Sequence, residues 1–197
     1  DMTQADALIL HFNPLQEAVQ PGGDTHFSGL AHKLSTVCRS LPVPVIAKEV
    51  GWGFSKPDIL LLQDCGIAAI DVAGAGGTSW SQVEMYRAED ESQAQLAAAF
   101  INWGIPTAEA ILNVRQIAPQ LLVFASGGLR TGVDIAKCIA LGAQLGGMAK
   151  PFLKAASLSL EYTVQVIQTI KRQIQVCMFA SGAQNLSALS VERISKS

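Results

Sequence analysis

The sequence predicts an α/β fold of alternating strands and helices, and three observations carry that prediction. Short apolar runs alternate with longer segments of helical period, the runs are nearly continuous in apolar residues, and each run ends in glycine or polar residues. Continuous apolar runs mark parallel strands covered on both faces. Two architectures share this βα rhythm, a doubly wound open sheet and a β/α barrel. Functional groups collected at the C-terminal ends of successive strands are the habit of the barrel, so the fold class expected is a TIM (β/α)8 barrel.

The elements follow in order. The first run, ALILHF (Ala7 to Phe12), is stopped by Pro14, which cannot donate to a ladder. The others are VPVIAKEV (Val43 to Val50), IAAIDVAG (Ile67 to Gly74), LLVFASGG (Leu121 to Gly128) and LGGMAKPF (Leu145 to Phe152). Helices are expected at about Phe27 to Ser40, Ser55 to Cys65, Thr107 to Ala118, Thr131 to Leu141 and Ala155 to Met178, where apolar residues recur at helical spacing. The segment Trp80 to Trp103 has no strand pattern and is rich in Gln, Glu and Ala, so it reads as a long loop with helical pieces or as a lid. Five strands fall short of the eight of a closed barrel, which typically runs to about 250 residues. The expectation is therefore an incomplete barrel of about five C-terminal βα units, with about three N-terminal units absent. An opening at Asp1 without Met fits that expectation. No linker divides the chain, and residues 1–197 are read as one domain.

Composition narrows the function. The 197 residues are 49% apolar and 15% charged, enough for one globular core. A net charge of -2 supplies no broad field for nucleic acid or an anionic membrane, so any anion must be held by local groups. Cys38, Cys65, Cys138 and Cys177 are scattered without a C-x-x-C pair, which reads as reduced thiols packed as small apolar groups. No leader pattern opens the chain and no apolar run approaches the roughly 18 residues of a membrane span, so a soluble cytoplasmic protein is expected.

The strand ends carry the candidate chemistry. SGGLRTG (Ser126 to Gly132) follows one strand and opens a helix, and LGAQLGGMAK (Leu141 to Lys150) comes about twenty residues later. Each is an ordinary tight turn or, if the two lie side by side as at the seventh and eighth strands of a barrel, half of a phosphate cradle of backbone N–H groups. Lys48 at a strand end either reaches solvent on its stem or faces a bound flavin, whose reduced ring carries negative charge near N1 and O2. DVAGAGGTSW (Asp71 to Trp80) is a ligand-lining loop or a flexible connector. In HFNPLQEAVQPGGDT the first strand delivers His11 and Asn13, and the following residues present Gln16 and Glu17. Glu17 is either solvated or a ligand for Mg²⁺, which commonly takes one carboxylate and completes its shell with water and substrate phosphates.

On HFNPLQEAVQPGGDT, PVPVIAKEVGWG, AAIDVAGAGGTSWSQVEMYRA, NWGIPTAEAIL, FASGGLRTG and CIALGAQLGGMAKPFLKAA, the chain closely resembles the C-terminal part of the type 2 isopentenyl diphosphate isomerases. The resemblance implies a TIM barrel that binds FMN, uses NADPH or another reductant to keep it reduced, and requires Mg²⁺. The reaction implied interconverts isopentenyl and dimethylallyl diphosphate, in a homotetramer or homo-octamer. It also implies roles by position: His11, Asn13 and Gln16 in the catalytic motif, with Gln16 touching substrate and Glu17 holding Mg²⁺. Lys48 and Thr78 would contact the flavin, and Gly128, Leu129, Arg130, Ala149 and Lys150 its phosphate. Many FMN barrels carry Gly-Arg where this chain has Ala149-Lys150. The N-terminal Arg-Lys substrate grip of the family and its early FMN loops have no counterpart in these residues. Two other readings stand beside it. An FMN-dependent hydroxy-acid dehydrogenase or oxidase shares the lysine and both turns but uses a late strand-end histidine, whereas His11, His26 and His32 all lie early. The other is an inactive half barrel that serves as an interface.

Overall fold

Five strands form one parallel sheet in the computed structural model, which describes residues 4–193. They are β1 (Leu8–Phe12), β2 (Val45–Glu49), β3 (Ala69–Asp71), β4 (Leu122–Ala125) and β5 (Leu145–Gly146), paired in the order β1-β2-β3-β4-β5. A doubly wound sheet reverses its strand order at a switch point. This order never reverses, which is how strands follow one another around a barrel wall. The fold is therefore α/β, with a five-stranded parallel sheet consistent with part of a TIM barrel.

The helices are α1 (Pro14–Val19), α2 (Leu30–Ser40), α3 (Lys56–Asp64), α4 (Trp80–Arg87), α5 (Glu91–Ala98), α6 (Thr107–Ile117), α7 (Gly132–Ala140), α8 (Lys150–Ala156) and α9 (Leu160–Ala180). Two start at capping boxes written in the sequence. Ser55 accepts from the Asp58 amide at α3, and Thr131 from the Asp134 amide at α7, while each aspartate bonds back to its cap residue.

Period-two alternation sorts the strand side chains. Leu10, Ala47, Ile70 and Val123 share one row across β1 to β4. That row belongs to the core that includes Ile59 and Leu62 of α3 and Ile111 and Val114 of α6. The intervening rows, Ile9–Ile46–Ala69–Leu122 and His11–Lys48–Asp71–Phe124–Leu145, face the other way. On that face Ile9, Leu122 and Leu145 are 55%, 48% and 50% exposed. Between them Ile46 and Ala69 are buried, so the exposed apolar side chains lie toward the two edges of this face.

Two expectations need correction, at β5 and at the last helix, while the helical pieces expected within Trp80 to Trp103 are present. The fifth strand was expected to run to Phe152, but it ends at Gly146, and Pro151 sits in the first turn of α8. Proline's fixed φ suits a first helical turn and its missing N–H does not suit a ladder. The helix expected over Ala155 to Met178 is instead two, α8 and α9. Ser159 caps the second by accepting from the Tyr162 amide at 3.1 Å. Trp80 to Trp103 holds α4 and α5 packed on each other and on α1, and the Gln93 side chain donates to the Val19 carbonyl. The segment is anchored rather than free. Among the described residues no helix is long and apolar enough to cross a membrane. Cys65 and Cys138 are buried, and burial pushes the Cys138 thiol up to about 11, which makes it a packing group rather than a nucleophile.

Candidate functional site

The C-terminal ends of the strands bring most of the sequence-predicted site residues to one rim. His11 and Lys48 are cross-strand partners on β1 and β2, and Asp71 partners Lys48 from β3. The Lys48 ammonium lies 3.3 Å from Asp71 Oδ2 and donates to the Glu49 carbonyl at 3.0 Å. Burial lowers the His11 pKa, the Lys48 charge lowers it further, and Glu17 opposes them. His11 is therefore held toward its neutral form, as a polar group that can accept or donate one hydrogen bond.

The next residue on β2 points the other way, as alternation requires. Glu49 is buried at 4% exposure, and its Oε2 accepts the amides of Gly51, Trp52 and Gly53 at 2.7, 2.5 and 3.1 Å. Burial raises its pKa and those amides partly offset the rise. Glu49 thus folds the loop after β2, while Lys48 is left to face the rim.

Helix α1 carries the polar cluster of the first loop. Glu17 is held on three sides: Asn13 Nδ2 donates to Oε1 at 2.7 Å, and Gln20 Nε2 and the Asp24 amide donate to Oε2, each at 2.8 Å. The Asp24 amide above all, with the Asn13 side chain, holds the Glu17 carboxyl below the usual range. Gln16 Nε2 donates to Glu84 Oε1 at 3.0 Å, and Glu84, buried in α4, also receives Arg87 at 3.5 Å. Glu84 was not picked out from the sequence. Its partner lies 68 residues away, so no local pattern could have revealed it.

Two glycine loops interlock beside this rim. Gly127 has φ +103, and a Cβ there would stand 2.0 Å from the Gly74 carbonyl oxygen. A Cβ on Gly128 would stand 2.3 Å from the Gly76 carbonyl oxygen, and one on Gly77 2.8 Å from the Gly128 amide nitrogen. Only glycine permits backbone to approach backbone this closely. Thr107 at the start of α6 fastens the junction, donating to the Gly127 carbonyl at 2.6 Å. Thr78 ends the first of these loops and is exposed. On the second loop the Arg130 and Thr131 amides are taken by Asp134 Oδ2 at 2.9 and 3.0 Å, and the Gly132 amide by Gln173 at 2.7 Å. No such internal bond occupies the Gly128 and Leu129 amides among the described residues. The turn at Ala149 and Lys150 follows β5, which pairs with β4, so the two turns leave adjacent strands. The Arg130 side chain lines a surface groove with Tyr162 and Gln165 of α9.

Asp71 is the residue that joins these parts. Its Oδ1 accepts from Ser126 Oγ at 2.7 Å and from the Ala73 amide at 3.2 Å, while Oδ2 meets Lys48. Ala73 has φ +35, a left-handed conformation costing a non-glycine residue roughly 1–2 kcal/mol. The aspartate carboxylate helps to hold it. In the sequence Asp71 stood out as a polar strand end and as the first letter of a glycine-rich loop, without a role of its own. Among the described residues no three His, Cys, Asp or Glu side chains converge as a metal cage.

With this geometry established, comparison with known proteins places the chain. The family model of the FMN-dependent dehydrogenases matches residues 17–196. The chain belongs to this family. The chain is 52% identical over 189 residues to an isopentenyl-diphosphate delta-isomerase of a Nostoc species, covering 96% of this chain and 54% of that protein. The enzyme of the same name from a Synechocystis species is 52% identical over 190 residues, with the same coverage. The family resemblance drawn from the motifs therefore extends over most of the chain. The chain spans about half the length of the curated relatives it matches. A flavocytochrome b2 variant with sulfite bound superposes with a TM-score of 0.66 at 17% identity, over 97% of this chain and 47% of that one. That likeness establishes the fold, a wall of the same α/β architecture.

Proposed function

We propose that this chain forms the C-terminal wall of a type 2 isopentenyl diphosphate isomerase, a closed (β/α)8 barrel that uses reduced FMN, NADPH as reductant, and Mg²⁺. The single observation that carries the reading is the convergence on one rim of Gln16, Glu17, Lys48 and the Gly128 turn, in a chain 52% identical to enzymes of that name. The exposed apolar residues Ile9 on β1 and Leu145 on β5, at the two edge strands of the sheet, and the unreversed strand order support closure of the barrel by further strands.

The residues present suit FMN. Gly127 and Gly128 leave no room for side chains, and the unoccupied amides of Gly128 and Leu129, with the turn at Ala149 and Lys150, offer donors to a phosphate. The Arg130 amide is spent on Asp134, so Arg130 would act through its position in the turn. Lys48 and Thr78 would border the ring. When bound, reduced FMN supplies an acid and an electron-rich face for migration of the carbon–carbon double bond. Glu17 keeps its charge at neutral pH and would supply one carboxylate ligand to Mg²⁺, which would in turn neutralise charge on the diphosphate. Asn13 and Gln20, which now donate to Glu17, orient that carboxylate. Gln16, fixed by buried Glu84, would hold the hydrocarbon end of the substrate, with neutral His11 beside it. Anchoring the diphosphate away from the reacting carbons lets binding energy position the alkene. Assembly as a tetramer or octamer belongs to the same proposal, and the exposed apolar residues Leu160, Val164 and Ile167 of α9 supply a surface to cover.

The test is isomerisation in D₂O by the full-length protein with reduced FMN and Mg²⁺, followed by NMR. Deuterium entering the allylic positions of both diphosphates supports the reading. Oxidation of a 2-hydroxy acid with no isomerisation would replace it by the dehydrogenase reading.

A further inference from the structure

We propose that Asp71 is a positioning residue that neutralises Lys48 at the rim and thereby sets how strongly the site favours reduced over oxidised FMN. The inference rests on the FMN-binding reading above and goes beyond it, because it assigns the control of the cofactor's charge to an ion pair and not to the lysine alone.

The geometry makes Asp71 the fixed member of the pair. Its Oδ1 is pinned by Ser126 Oγ at 2.7 Å from β4 and by the Ala73 amide at 3.2 Å from its own turn. Oδ2 is left to hold the Lys48 ammonium at 3.3 Å. Lys48 spends a second donor on the Glu49 carbonyl, so one of its three N–H groups remains for a ligand. Both side chains are largely shielded, Asp71 at 16% and Lys48 at 33% exposure, so solvent screens the pair weakly. A cation matched in this way presents little net charge to the ring. Two-electron reduction of FMN with one proton at N5 leaves a negative charge near N1 and O2, and a second proton at N1 removes it. The matched pair favours that charge less than a free lysine would. Because Ser126 opens the glycine turn, the same carboxylate also ties the ring cation to the phosphate end of the site.

The experiment measures the potential of bound FMN in the full-length protein by anaerobic equilibration with a redox dye and dithionite. Asp71→Asn keeps an oxygen for Ser126 and Ala73 and removes the charge. It should tighten reduced FMN relative to oxidised FMN by roughly tenfold, which is ~30 mV more positive for a two-electron couple. Lys48→Gln should move the potential negative, and the double variant, Lys48→Gln with Asp71→Asn, should return near the wild-type value because the wild-type pair is already neutral. If Asp71→Asn does not fold, Asp71→Ser carries the same expectation, since it removes the charge and keeps a hydroxyl near the Ala73 amide. An unchanged potential in Asp71→Asn, or a double variant as negative as Lys48→Gln, would overturn the inference while leaving the FMN reading intact. A wild-type protein that takes up no FMN would overturn both.

Discussion

Replacing Gly127 with alanine tests whether the two glycine loops interlock as described. At φ +103 an L-residue is strained, at a cost of roughly 1–2 kcal/mol. The new Cβ would also lie 2.0 Å from the Gly74 carbonyl oxygen, 2.7 Å from the Gly74 amide nitrogen and 2.8 Å from Thr107 Oγ1. Two of those atoms are backbone and cannot rotate away, so a loop must shift, adding the roughly 1–3 kcal/mol typical of overpacking. The sum is about 2–5 kcal/mol. Gly29→Ala separates the two contributions: its φ is +74 with nothing within 4 Å of the added carbon, so only the conformational cost applies. Urea unfolding of the two variants should give unfolding free energies that differ by about 1–3 kcal/mol, seen as a lower midpoint for Gly127→Ala at unchanged slope. Gly127→Ala should also hold FMN less tightly, since the displaced turn carries the Gly128 and Leu129 amides. Equal midpoints for the two variants would refute the interlock.

Further outcomes follow from the same geometry. Glu17→Gln should weaken the Mg²⁺ dependence and diphosphate affinity by roughly tenfold or more while FMN stays bound; equal Mg²⁺ titrations in variant and wild type would remove Glu17 from the metal site. The His11 imidazole should titrate below the ordinary value, and higher in Lys48→Gln, because Lys48 is the second cause of its depression after burial. An NMR titration reads this directly, and an unmoved midpoint contradicts it. Since the folded value is the lower one, the His11 contribution to stability is complete above the unfolded value and is lost as pH falls through the folded value. At α7, burial alone would raise the Asp134 pKa, but the Arg130 amide, the Thr131 hydroxyl and amide, and Lys137 together hold it below its usual range. Its stabilisation is therefore present above the ordinary carboxylate value and disappears as pH falls through the lowered one. Asp134→Asn should cost about 1 kcal/mol near neutral pH, and no loss in a denaturant midpoint would show that the capping box contributes nothing.

Much of this architecture was legible because it is written locally. Strands β1 to β4 lie inside the apolar runs that predicted them, and α3 and α7 begin at the cap residues Ser55 and Thr131. The overrun at β5 has a physical cause: Met148 and Phe152 continue an apolar pattern, while Gly147 and Pro151 end the ladder and start α8. Helix α1 was read only as the presentation of Gln16 and Glu17, since six residues are too few to display a period. The site was legible where one side chain at a strand end carries the chemistry, as at His11 and Lys48. It was illegible where the chemistry lies in a pairing across the fold. Gln16 with Glu84, Asp71 with Ser126, and Asp71 with Lys48 depend on strand register and loop packing, which the spacing of residues along the chain does not encode.

The most direct test of the central claim is the visible spectrum of the full-length protein reconstituted with FMN, recorded before and after anaerobic reduction and again after isopentenyl diphosphate and Mg²⁺ are added. The account predicts a bound flavin that bleaches on reduction, a spectral change on addition of the diphosphate, and dimethylallyl diphosphate in the product. A protein that retains no flavin after reconstitution would contradict it, and would leave the Gly127–Gly128 loop as a packing junction without a cofactor.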